Sequence, residues 1–159
     1  MPRAHKRPKK ATKKKKKRRA PARRTRGAAP RPMLAETRLL ALARDIAHLP
    51  LPAAIDKLAA AWAPNAPLPG ELAEAWTRSH GNKTAALALA YAREQVRFSL
   101  QEIVETLPSA KRDRVVAVPE TLAWIMLAAC EALAHEAPSA VPDRVRAILD
   151  LSGYAASIG

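Results

Sequence analysis

What most limits the folding of this chain is an opening run of residues, 1–32, that contains no acid and almost nothing able to pack. It reads MPRAHKRPKKATKKKKKRRAPARRTRGAAPRP and holds 16 of the 28 Lys and Arg residues. Such a segment repels itself and has, Met1 apart, no large apolar side chains whose burial would offset the entropy of ordering it. It is predicted to be a disordered tail, so any core must come from residues 33–159. That body carries the other 12 Lys and Arg and all 14 Asp and Glu, and 12 − 14 = −2. The formal charge of +14 is therefore a strongly basic tail joined to a faintly acidic body.

The tail points to a polyanionic partner. Seven consecutive cations, Lys13 to Arg19, would bind nucleic-acid phosphates by releasing condensed counterions, an attachment that weakens steeply with salt. The candidate contacts are Lys9, Lys10, Lys13, Lys14, Lys15, Lys16, Lys17, Arg18, Arg19, Arg23, Arg24 and Arg26. No Phe, Tyr or Trp is present to stack on bases, so little sequence information is expected from them. The Lys/Ala/Pro composition resembles the tails of linker histones and of some bacterial nucleoid proteins. That resemblance implies DNA ahead of RNA, and a place on the nucleoid in a bacterial cytoplasm. In a eukaryotic cell Lys13–Arg19 would serve as a nuclear import signal. An anionic membrane is disfavoured, because the tail lacks hydrophobes to insert. No signal peptide is expected, since no apolar stretch follows the charges. The run from Leu122 to Cys130 is too short to span a bilayer.

The body is Ala-rich, and its prolines fall between segments with helical spacing. Leu39, Leu42, Ile46 and Leu49 form one stripe, which Pro50 and Pro52 are expected to stop. Ile55, Leu58, Ala59 and Trp62 form a second before Pro64. A third helix is predicted from Pro69, with Glu71 in its first turn. It should end at Ser79–Asn82, with Gly81 as C-terminal cap and Asn82 as the next N-cap. The longest helix is predicted from Lys83 to Leu107, with Val96, Leu100, Ile103 and Leu107 on its apolar face and Arg93, Glu94, Arg97 and Glu105 elsewhere. A fifth runs from Pro119 to about Glu136 and is apolar over most of its circumference, as a helix buried on two sides would be. A sixth starts at Pro142-Asp143. The run Val115 to Val118 reads as a connector, and no strand pattern appears. The expected fold is all-α, with about six helices in an orthogonal or bundle arrangement. Core packing is expected for Trp62, Trp76 and Trp124.

Several segments resemble the TetR family of repressors. Ala54-Ile-Asp-Lys-Leu-Ala-Ala-Ala-Trp62 is similar to the second helix of that family, and Leu72-Ala-Glu-Ala-Trp76 to the end of its recognition helix. Ser79 to Leu87 resembles its junction into helix four. Val118 to Ala128 and Pro142 to Leu149 resemble its last two helices. The resemblance implies a degenerate helix-turn-helix within 33–82, with Arg78 and Lys83 as DNA contacts. It also implies a homodimer formed through 83–159 by Leu122, Ile125, Met126, Val145, Ile148 and Leu149. A small-molecule effector would fit the same family. The turn here reads Ala63 to Pro69 where the family has Gly and a small polar residue. Glu71 and Glu74 would repel phosphate at the recognition position.

No catalytic constellation is legible. His5, His48, His80 and His135 belong to no ligand motif, and His48 and His135 suit helix C-termini. Glu102 and Glu105 lack the Glu-x-x-His partner of a carboxylate metal site. Cys130 is the only cysteine and is expected to be a buried, inert thiol. Ser99 and Ser109 have no recognisable base, and the glycines are isolated. Trp124 with Met126 is the candidate wall of a ligand pocket. No enzyme activity, cofactor or metal is expected. Three functions compete: a DNA-associated regulator or nucleoid protein, a helical adaptor tethered to RNA or chromatin, and a small-ligand sensor.

Overall fold

Proline begins most of the helices. The structure, a computed structural model, describes residues 33–107, 117–151 and 153. The tail and the segment 108–116 lie outside them. Six α-helices are present among the described residues: α1 (Leu34–Ile46), α2 (Leu51–Ala61), α3 (Pro67–Ser79), α4 (Lys83–Glu105), α5 (Pro119–Ala132) and α6 (Val141–Leu151). A single 3₁₀ turn, Leu133–His135, follows α5. No strand occurs among the described residues. The helices α2, α3, α5 and α6 each carry Pro in the first two positions, where its missing N–H is not needed and its φ suits the helix. Pro50 and Pro52 thus start α2, as N-cap and in its first turn. The preceding helix, α1, has already ended at Ile46.

Glycine and asparagine mark the sharpest boundary. Gly81 takes φ 80° after α3, a conformation that costs an L-residue strain. The Asn82 side chain then accepts from the Ala85 N–H at 3.1 Å, satisfying one orphan donor of α4. Three boundaries differ from the sequence expectation by two residues or more. The longest helix, α4, ends at Glu105 and not at Leu107. The third helix starts at Pro67, not Pro69, which leaves Glu71 beyond the first turn. The α-helical part of α5 ends at Ala132 and tightens into the 3₁₀ turn.

Residues 31–159 form a compact unit of their own, and α4 is its axis. It packs most extensively on α1 and then on α5. Leu39, Leu42 and Ile46 of α1 meet a core that includes Leu89, Val96, Leu100 and Ile103 of α4. Ala43 and Ala92 are small enough for close approach. From α2 come Leu51, Ile55 and Leu58, with Trp62 just beyond its end, all buried. Each such side chain contributes about 1.5–3 kcal/mol through its removal from water. The shorter helices close the core around α4. Thus α2 lies chiefly on α6 and α5, and α3 on α1 and α4, whereas α2 and α3 make little contact with each other.

Candidate functional site

The body's charges are mostly spent on each other. Nine Lys and Arg residues are described in it, and seven have an acidic partner. Lys57 lies 3.1 Å from Asp45, Arg144 3.1 Å from Glu136, and Arg146 3.7 Å from Asp143. Arg78, the candidate base contact, is exposed but paired with Glu74 one turn back. Glu71 meets Arg38 Nε at 2.8 Å, close enough for an ion pair though misaligned for a hydrogen bond. Arg44 donates to the Leu40 carbonyl, and Lys83 is exposed at the start of α4 without an acidic partner among the described residues. The described part of the body therefore offers little uncompensated positive charge to a phosphate backbone. The twelve tail candidates, Lys9 through Arg26, lie outside the described residues.

Two pairs join or line α4. Arg93 donates twice to Glu131 of α5, at 2.6 and 2.8 Å, the bidentate geometry that suits guanidinium and carboxylate. The hydrogen bonding to Glu131 holds the Arg93 guanidinium above its ordinary pKa, against the opposing effect of burial. Arg97 departs from expectation. Instead of facing water it is 5% exposed, donating to Glu94 at 2.5 Å and Gln101 at 2.8 Å. Its guanidinium carbon lies 4.3 Å from the centre of the Phe98 ring. These partners supply what a buried cation requires.

Beside the Arg93–Glu131 pair is a cleft of about 300 Å³ walled by Leu72, Trp76, Trp62, Leu89 and His135. Its walls come from α3, α4 and the end of α5, with Trp62 as part of the floor. Periodicity alone did not reveal it, because these residues lie on different elements. Only Trp62 of the three tryptophans is in the core; Trp76 and Trp124 are exposed. Trp124 and Met126, the candidate wall of a pocket, do not share a surface: Met126 is fully buried while Trp124, expected in the core, faces out.

Of the residues assigned to a dimer interface, Leu122, Met126 and Ile148 are buried in the chain's own core. Ile125, Val145 and Leu149 are half-buried. Cys130 is buried, and burial pushes its thiol up to about 12. Glu102 and Glu105 are exposed. No cluster of three or more His, Cys, Asp or Glu that could hold a metal exists among the described residues. No described helix is long and apolar enough to cross a membrane. No protein family, curated protein or solved structure matches the chain.

Proposed function

We propose that the chain is a DNA-attached helical protein of the nucleoid-associated or regulatory kind. Residues 1–32 hold phosphates, and the helical body assembles copies without reading bases. One observation carries this division of labour: seven of the nine described body cations are paired with acids, while the 16 tail cations have no acid within their segment. Counterion release therefore has its source in the tail. Of the two contacts that a degenerate helix-turn-helix would use, Arg78 is paired with Glu74 on its own helix α3, which leaves Lys83 alone at the start of α4.

The test is binding of the full chain and of a 33–159 fragment to duplex DNA, random and genomic, and to RNA across a salt series. Engagement of Lys13–Arg19 alone gives a slope of about −6 in log affinity against log salt. The fragment should lose binding at every salt. A fragment that keeps a sequence preference, reduced by Arg78→Ala, would instead establish base reading by the body. Preference of the full chain for RNA would favour an adaptor tethered to RNA.

The cleft supports a second reading, a small-molecule effector site. Its two tryptophans and its ion pair provide apolar walls with one polar edge, the usual make-up of a ligand pocket. Tryptophan emission of the wild type and of Trp76→Phe, titrated with small aromatic compounds, tests it. An unchanged spectrum throughout removes that reading.

A further inference from the structure

The longest helix leaves one face uncovered. Leu87, Tyr91 and Phe98 of α4 are 70%, 60% and 45% exposed. Their spacing of i, i+4 and i+11 puts them on one stripe, opposite the Leu89–Val96–Leu100 stripe that enters the core. The stripe covers about 16 Å of helix, with Glu94 on it between Tyr91 and Phe98. Leu87, Tyr91 and Phe98 are large apolar side chains left in water on one side of one helix, a strip that a partner could cover. Lys83 lies on the same stripe at the helix start and Glu105 at its end, with Glu102 beside it.

We propose that this face binds the same face of a second copy, the two α4 helices running antiparallel. The proposal rests on the reading of the body as the assembling part and names the surface that does it. Charge order along the helix selects this occupant. When the stripe is laid against itself in reverse about Glu94, Lys83 of each copy meets Glu105 of the other. Tyr91 then comes beside Phe98, and Leu87 falls near Gln101. A parallel arrangement would instead set Lys83 on Lys83 and Glu105 on Glu105. The two Glu94 carboxylates approach the axis, and each is already bound by its own buried Arg97. The polar edge is also ordered in advance: Arg97 bonds Gln101, and Gln101 donates to Glu105 at 2.8 Å. Holding Glu105 in place lowers the entropy lost on pairing. The small area implies a weak association, strengthened when two tails share one DNA.

Sedimentation of the full chain without DNA, over a hundredfold concentration range, tests the proposal. The wild type should form dimers. Phe98→Glu, at an exposed position, should raise the dissociation constant at least tenfold with an unchanged helical spectrum. Lys83→Glu and Glu105→Lys should each weaken the dimer about tenfold at low salt. Mixed together, these two variants should associate as well as the wild type, because every cross-chain pair is again opposite in sign. Within one chain the two positions stand about 33 Å apart, so rescue on mixing requires contact between copies in this orientation. A wild type monomeric throughout leaves the face to the tail or to another protein and overturns both the proposal and the assembly reading. A dimer indifferent to Phe98→Glu and to the charge reversals overturns the surface alone. DNA attachment by the tail is read separately from the salt series.

Discussion

Met126→Ala separates the two places in which α5 has been put, the interior of one chain and the seam between two. Met126 is 0% exposed within a single chain and belongs to the core built on α4. Truncating a fully buried Met, Leu or Ile to Ala costs about 2–5 kcal/mol, combining lost transfer energy with an unfilled cavity. Methionine is flexible and its neighbours can relax, so a value of about 3 kcal/mol is expected here. Set against a total stability of about 5–15 kcal/mol, that is a large fraction. With a urea dependence of about 1.5 kcal/mol per molar, the midpoint falls by about 2 M. The assay is urea unfolding followed by helical circular dichroism, at two protein concentrations tenfold apart. The cost should be the same at both, and the dimer dissociation constant should not change. A loss below about 1 kcal/mol, or one that disappears on dilution, would refute the placement of Met126 in the core and restore α5 as an interface helix.

Three further outcomes follow from the geometry. A double-mutant cycle of Arg93→Met and Glu131→Gln should give a coupling of about 1 kcal/mol, reduced in molar salt. The pair is bidentate, but its side chains keep 31% and 27% of their exposure, so solvent screens it. Cys130 should resist iodoacetamide at pH 8 until the protein is unfolded. With its thiol raised to about 12 in the fold, stability is unaffected below the unfolded value of about 8.5. Above that it falls by up to about 1.4 kcal/mol per pH unit, because only the unfolded chain releases the proton. Cys130→Ala should flatten that part of a urea-midpoint pH series. Gly81→Ala should cost about 1 kcal/mol in the same unfolding assay, a purely conformational penalty, since a Cβ there meets nothing within 4 Å.

Helix positions were largely legible because proline, glycine and asparagine act locally. Pro52, Pro67, Pro119 and Pro142 sit in first turns, and Gly81 and Asn82 perform the cap roles read from their order. The one misplaced start, at Pro69, arose where two prolines two residues apart both satisfy the rule. Side-chain fate was less legible. Trp62, Trp76 and Trp124 share apolar helical spacing, yet only Trp62 meets a covering element. Arg97 looked like a surface residue because its charge was visible in sequence and its partners were not. Glu94, Gln101 and the Phe98 ring make its burial tolerable. The cleft at Trp76 was invisible, since its walls are distant in sequence.

By itself, then, the sequence determined where a core is able to exist and what it is made of. Sixteen cations without an acid, and with Met1 the one large hydrophobe, leave the first 32 residues almost nothing to bury, and proline-punctuated helical stripes make the described remainder all-α. These are properties of neighbouring residues. Tertiary structure decided which stripe is spent. Leu122, Met126 and Ile148 turned inward, while Leu87, Tyr91 and Phe98 on the longest helix stayed in water. It also decided which cations are neutralised, Arg93 by Glu131 across two helices and Arg78 by Glu74 along one. The reason is that burial and ion pairing depend on what lies opposite a side chain, and helices far apart in the chain supply it.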